Sequence, residues 1–289
     1  MNDPLAASRS IGALLIDAGK LVPADIERIL HAQRDKGQRF GEAAVDLGLL
    51  SIQDLQYALA RQYDYPCLPV GDDQVSAELV AAFQPFSPQV EALRALRSQL
   101  MVRWFTGEAE RRTLAVVSPG RGEGRSYLAA NLAVVFSQLG EHTLLIDADL
   151  RNPRQHELFK LENPTGLSTI LAGRGDSGLI RRVPAFMGLS VLCAGPLPPN
   201  PQELLGRPPF ARLLQQMASE FDVIIIDTPA AASFADVLTV ARRASGALLL
   251  ARATETRVAE LRTLVATLAN SGVAVVGSVF NEALALIKR

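Results

Sequence analysis

SPGRGEGRS, residues 118–126, decides the fold. It follows the apolar run Thr113 to Val117 and precedes YLAANLAVVFSQL, a helical pattern that closes at Gly140, a natural left-handed cap. Strand, glycine loop and helix in that order set Gly120, Gly122 and Gly124, with Glu123 among them, where backbone N–H groups turn inward as an anion nest. The positive end of the helix adds to that nest. Phosphate is the expected guest. The Ser126 hydroxyl stands where such a loop offers a ligand to magnesium, Arg125 occupies the position that normally carries lysine, and Tyr127 follows beside them.

Two further stretches extend this reading: LLIDADLR at 144–151 and VIIIDTP at 223–229. Both begin as continuous apolar runs of the kind buried on both faces of a parallel sheet, and both reach aspartate. Ligands of open α/β sheets bind at the carboxyl ends of strands, so Asp147, Asp149 and Asp227 are expected to converge on the phosphates. A divalent cation would relieve their mutual repulsion. Strands are expected near 113–118, 143–147, 190–193, 222–227, 246–251 and 273–280, alternating with helices. The fold class is therefore α/β: a P-loop NTPase with a mainly parallel sheet and helices on both faces, preceded by a small all-α repeat domain.

The repeat lies at the amino end. IGALLIDAGKLVPADIERILHAQ at 11–33 matches FGEAAVDLGLLSIQDLQYALARQ at 40–62, with Gly12 and Gly41, Gly19 and Gly48, Leu21 and Leu50, and Gln33 and Gln62 all offset by the same 29 positions. Each copy predicts two short helices separated by a glycine cap, Ala13 to Ala18 and Pro23 to Gln33 in the first. The expected division is a repeat domain at 1–69, a connector at 70–87 and the nucleotide domain at 88–289.

At 289 residues the chain has room for one sizeable core and a small extra domain. Its 29 basic and 30 acidic residues leave a net charge of -1, which offers no global attraction to nucleic acid or to an anionic membrane. No apolar run reaches bilayer length and MNDPLAASRS has no signal-peptide core, so a cytoplasmic protein without a direct membrane span is expected. Cys67 and Cys193 lack metal or redox spacing and read as reduced structural thiols. His31, His142 and His156 have no partner motif, and Trp104 reads as a packing anchor.

The glycine loop, Asp147-x-Asp149-x-Arg151 and Asp227-Thr228-Pro229 resemble the Walker A, A′ and B motifs of bacterial tyrosine kinases, and Glu91-x-x-Arg94-x-x-Arg97 resembles the helix by which those kinases assemble into rings. The resemblance covers about Pro88 to Asn281 and is nearest to the EpsG-type kinases of exopolysaccharide clusters. It implies phosphoryl transfer from MgATP to tyrosine and control of polysaccharide chain length and export. It also implies a membrane adaptor of the Wzz-type chain-length-determinant class, which recruits the protein to the inner face of the membrane. By the same resemblance Asp147 accepts the tyrosine proton, Asp149, Asp227 and Ser126 hold the metal, Arg125 joins the loop amides on the phosphates, and Asn281 approaches the base.

The repeat is similar to the MshEN domain of secretion and pilus-assembly ATPases. That similarity implies a cyclic di-GMP site at Gly12, Gly19, Gln33, Arg39, Gly41, Gly48 and Gln62, although the first copy has Ser10 where arginine is the pattern. Helix capping explains the same glycines. Arg125 for lysine, FNEALALIKR without a tyrosine cluster, and Ala230 for a second proline depart from the kinase pattern. They leave room for a ring component that binds nucleotide without transferring phosphate. A ParA-like ATPase acting on DNA fits the fold but not the doubled aspartate, and Gly120 replaces its signature lysine.

Overall fold

The computed structural model describes residues 10–108, 111–233 and 235–282. It divides into two compact units, one built from the chain up to Asp73 together with Val80–Glu91, the other from Gln74–Leu79 together with the chain from Ala92 onward.

The first unit contains the helices Ile11–Asp17, Pro23–Lys36, Phe40–Asp46, Ile52–Gln62 and Val80–Phe83. The repeat is visible in its details. Gly19 and Gly48 adopt φ of 67° and 68° at equivalent helix ends, a region that glycine enters without penalty. Ser51 and Asp54 cap the fourth helix reciprocally: the Ser51 hydroxyl accepts from the Asp54 amide at 3.1 Å and the Asp54 carboxylate accepts from the Ser51 amide at 3.2 Å. Leu21 and Leu50 are both buried, in one core with Leu15, Ile29, Ala43, Ala44 and Ala58. Burying each leucine stabilises the unit by about 1.5–3 kcal/mol.

The stretch expected as a connector is more structured than its composition suggests. Ala81 and Ala82 are fully buried in a helical turn, and the Leu68 amide donates to the Ala82 carbonyl at 2.8 Å. Val75 and Leu79 are buried too, and the Ser76 amide donates to the Leu158 carbonyl at 2.8 Å, which attaches residues 74–79 to the second unit.

The second unit is a seven-stranded sheet. Its strands are β1 (Thr113–Val117), β2 (Thr143–Asp147), β3 (Arg181–Arg182), β4 (Leu189–Leu192), β5 (Val223–Asp227), β6 (Gly246–Arg252) and β7 (Ala274–Asn281). The order across the sheet is β3-β4-β2-β5-β1-β6-β7. All neighbours run parallel except β3 and β4. The exposed two-residue β3 gives no apolar signal, and the sequence pattern does not announce it.

Alternation along the strands turns Ala115, Val117, Leu144, Ile146, Ile224 and Ile226 into one core with the helices Pro201–Gly206, Pro208–Glu220 and Asp236–Ala244. Leu114, Val116, Leu145 and Ile225, equally buried, face the other way, toward the helix Arg125–Ser137. That helix is apolar on every side and buried at eleven of its positions, as a helix inside a layered α/β core must be. Trp104 is the expected anchor: its indole N–H donates to the Thr113 carbonyl at 3.0 Å and its ring lies over Gly246.

Chain order turns back at β1. From β1 the chain crosses beyond β5 to β2, and β6 lies on the opposite side of β1. The carboxyl ends of β1, β2 and β5 therefore open into the crevice where doubly wound sheets place ligands.

Candidate nucleotide and phosphotransfer site

The loop between β1 and its helix turns on two left-handed glycines, Gly122 at φ 74° and Gly124 at φ 102°. A Cβ on Gly124 would lie 2.7 Å from the Asn281 amide nitrogen, and that amide donates to the Glu123 carbonyl at 2.9 Å. Asn281, expected near a nucleobase, thus props the phosphate loop from the end of β7. Glu123 is buried; its Oε2 accepts from the Gly120 amide at 2.8 Å and its Oε1 from the Thr256 hydroxyl. Arg252 closes the outside of the loop, donating to the Gly122 carbonyl at 2.9 Å.

Arg125 is folded into the loop. Its Nε donates to the Thr228 carbonyl at 2.9 Å, and its Nη1 to the Gly120 carbonyl at 2.6 Å and to the Ser118 hydroxyl. Burial lowers its pKa, while Asp227, Asp149 and Glu123 oppose the shift. A planar fork can span three acceptors on two strand ends in a way that one ammonium cannot.

The aspartates divide into three environments. Asp147 is fully buried and saturated by backbone donors: Oδ1 accepts from the Asp149 amide at 3.2 Å, and Oδ2 from the amides of Arg154 at 3.0 Å and Gln155 at 2.9 Å. Burial, then the Asp227 carboxylate, hold its pKa well above the usual carboxylate range. Asp149 caps the following turn, accepting from the Asn152 amide at 2.9 Å. It lines a cavity of about 220 Å³ together with Gly124, Arg125, Ser126, Tyr127 and Arg154.

Asp227 ends β5 beside Asp147 in the register of the sheet. Burial pushes its pKa up to about 6, against the pull of the Ser126 hydroxyl, the Gln155 amide and Arg125. Its Oδ2 accepts from Gln155 Nε2 at 2.8 Å, whereas its buried Oδ1 has no hydrogen-bond partner. An orphaned carboxylate oxygen next to a serine hydroxyl is the donor chemistry magnesium requires. Among the described residues no three His, Cys, Asp or Glu side chains form a complete ligand set. This suits an ion that normally takes one or two carboxylates and completes its shell with phosphate and water. Ser126 and Asp227 are the residues that would hold it, and the ion would neutralise charge on the phosphates.

Two participants, Gln155 and Arg154, carry no sequence signature of their own. Gln155 is fully buried and joins the acidic motifs to the phosphate loop. Arg151 pairs with buried Asp236 at 2.8 Å, Arg121 donates to Asn152 at 3.1 Å, and Arg154 pairs with Glu78 at 2.6 Å. The signal available was a run of polar residues directly after a buried strand, where an exposed turn would explain them equally well.

The remaining expected residues are not among those that line this cavity. Glu91, Arg94 and Arg97 share the helix Pro88–Arg103, and Arg97 Nη1 donates to the Val135 carbonyl at 2.7 Å within its own chain. In the repeat, a Cβ on Gly12 would approach Ile26 to 3.2 Å and one on Gly41 would approach Leu55 to 2.6 Å, so both serve close helix packing. Arg39 is the residue before the third helix, its amide held by Glu42 at 3.0 Å. Gln33 and Gln62 are partly exposed. Burial raises the Cys67 thiol to about 11 and the Cys193 thiol to about 12, which keeps both protonated and unreactive.

A family model described as ParA, NUBPL iron-transfer P-loop NTPase, matches residues 110–288. Tyrosine-protein kinase YwqD of Bacillus subtilis is 34% identical over 177 residues, 61% of this chain and 74% of that one. Tyrosine-protein kinase wzc of Salmonella typhimurium is 34% identical over 206 residues, 71% of this chain. This chain spans only 28% of the length of wzc. Among solved structures, the kinase domain of Escherichia coli tyrosine kinase ETK superposes with a TM-score of 0.69 at 30% identity, covering 77% of this chain and 86% of that one. Fold, motif geometry and relatives agree: the chain belongs to the bacterial tyrosine-protein kinases, built on the ParA-type P-loop NTPase fold.

Proposed function

We propose that this protein is an ATP-dependent protein-tyrosine kinase of capsule or exopolysaccharide synthesis, acting on chain length and export. The observation that carries the reading is the cavity between the phosphate loop and the Asp149 turn, with the unpaired Asp227 oxygen beneath it. In the reaction a tyrosine oxygen bonds to the γ-phosphorus, the bond to the β,γ-bridging oxygen breaks, ADP leaves, and the phenolic proton passes to a base. Asp149 lines the cavity and is the carboxylate placed to meet that hydroxyl. Asp147, expected as the base from the family resemblance, spends its oxygens on backbone amides and acts through the shape of the turn. Loop amides and Arg125 orient the phosphates, so positioning and charge neutralisation supply most of the rate.

Phosphotyrosine mass spectrometry on the full chain and on an added tyrosine-containing peptide, with MgATP, tests this. Asp149→Asn should abolish transfer while nucleotide binding persists; undiminished phosphotyrosine in that variant overturns the assignment of Asp149.

One observation favours a second reading. Arg125 is held by three acceptors, two in the loop and the Thr228 carbonyl after β5, a state suited to binding nucleotide without turnover. The protein would then be a regulatory ring component, with the Glu91-Arg94-Arg97 helix at the subunit boundary. ATP binding without phosphotyrosine anywhere supports it.

The finer expectations belong to the same proposal. The repeat is of MshEN type and the kinase of EpsG type. No helix among the described residues is long and apolar enough to cross a membrane, and we assign recruitment to the inner membrane face to a Wzz-type adaptor. Arg39 beside the repeat glycines supports a cyclic di-GMP site, and the absence of binding heat in calorimetry at high micromolar ligand returns those glycines to packing alone.

A further inference from the structure

Gln155 has no place in the motifs that define this family's site, yet between its amide and its side chain it meets all three of them. It is fully buried. Its backbone N–H holds Asp147 Oδ2 at 2.9 Å. Its side-chain Nε2 donates to Asp227 Oδ2 at 2.8 Å and to the Ser126 carbonyl, on the first turn of the phosphate-loop helix, at 3.2 Å. Its own Oε1 is buried without a hydrogen-bond partner, as is Asp227 Oδ1. Two buried acceptors without a geometrically sound hydrogen bond, on side chains joined to each other at the end of β5 and with the Ser126 hydroxyl as the one donor near the Asp227 carboxylate, are costly to bury unless something positive or protic meets them.

We infer that Gln155 is the positioning residue of the magnesium site: by occupying Asp227 Oδ2 it leaves Oδ1 as the oxygen turned toward the metal, and by bonding the Ser126 carbonyl it fixes the serine hydroxyl beside it. The inference rests on the nucleotide-and-metal reading above. The geometry explains why an amide is used. A carboxylate at 155 would crowd a fourth carboxyl group against Asp147, Asp149 and Asp227, and an apolar side chain would leave Asp227 free to rotate.

Outer partners of metal ligands, when removed, cost about 10- to 100-fold in metal affinity. The test measures binding of a fluorescent ADP to the full chain, in EDTA and across a magnesium titration, and binding of Mn²⁺ by electron paramagnetic resonance in the presence of ADP. Gln155→Met keeps the volume and loses the amide; Gln155→Ala, which removes the amide without adding charge, serves where the methionine variant fails to fold. Affinity for ADP in EDTA should stay within about twofold of the parent, while apparent magnesium and Mn²⁺ affinities fall by about 10- to 100-fold.

Unchanged metal affinity in a folded variant overturns the proposal and leaves Gln155 a packing residue. An equal loss with and without metal overturns it as well, since that is the mark of a merely damaged loop. A parent protein that binds ADP with no gain from metal refutes the metal site itself. One that binds no nucleotide refutes the underlying reading, and the two failures are told apart by the EDTA arm.

Discussion

Replacing Arg125 with lysine restores the residue usual at that position, and the structure predicts that doing so weakens the nucleotide-free fold. The guanidinium bonds the Thr228 carbonyl at 2.9 Å, the Gly120 carbonyl at 2.6 Å and the Ser118 hydroxyl. Thr228 follows β5 and Gly120 lies in the phosphate loop, so one side chain ties two strand ends together. An ammonium sits at a single point and cannot serve both ends. The net loss is about one charge-assisted hydrogen bond, about 1.5–3 kcal/mol. At about 2–4 °C per kcal/mol for a domain of this size, the melting transition of the nucleotide unit falls by about 3–12 °C. Saturating MgATP should return much of this, because the lysine is released toward phosphate and ligand at a hundredfold its Kd adds about 2.7 kcal/mol. Thermal melts of parent and Arg125→Lys, each with and without MgATP, measure all four corners. A variant as stable as the parent without nucleotide would refute the claim that these contacts hold the empty loop together.

Asp227 ties stability to pH. Its folded pKa of about 6 lies above the unfolded value near 3.8, so the folded state retains a proton the unfolded chain has released. The nucleotide-free protein should therefore lose about 2–3 kcal/mol from this group as pH rises from about 4 to about 6, and no more above that. Asp227→Asn should reduce this slope in urea titrations, leaving the part that Asp147 contributes in the same direction, and abolish the magnesium-dependent gain in nucleotide affinity. Gly124→Ala forces a Cβ to 2.7 Å from the Asn281 amide at a left-handed φ of 102°; calorimetry should show nucleotide affinity reduced at least about tenfold, with the spectrum of a folded protein. Asp147→Asn places an amide among three backbone donors and should cost about 1–3 kcal/mol in chemical denaturation, whereas Asp149→Asn should cost less stability and all phosphotyrosine. Gly166→Ala drives a Cβ into the Cys193 carbonyl, a backbone contact that cannot yield, and soluble expression should fall sharply.

The fold was legible because its signals are strong and local. VIIID and LLID could only be buried strands, glycines marked both the loop and the repeat, and the strands predicted from apolar runs are those observed. Elements held by few apolar residues were not legible: β3 is two exposed arginines, and residues 74–79 read as connector because their two buried side chains stand among polar ones. Within the site, the sequence order anticipated that the aspartates gather at the strand ends but not their separate hydrogen-bonding environments. Those environments depend on which oxygen each backbone amide reaches, a matter of three-dimensional register. It turned Asp147 inward and Asp149 toward the cavity, and the same register made Gln155, an ordinary residue in a polar turn, a hub.

The attachment of Gln74–Leu79 to the sheet-bearing unit has a practical consequence for anyone dividing this protein. Val75 and Leu79 are part of that unit's interior, the Glu78 carbonyl accepts from Asn131 of the buried helix at 3.1 Å, and its carboxylate pairs with Arg154. A cut just before Pro88 looks natural on paper, yet it would strip two hydrophobic plugs and unseat an arginine at the cavity rim. A truncation that begins ahead of Gln74 keeps the enzyme half whole.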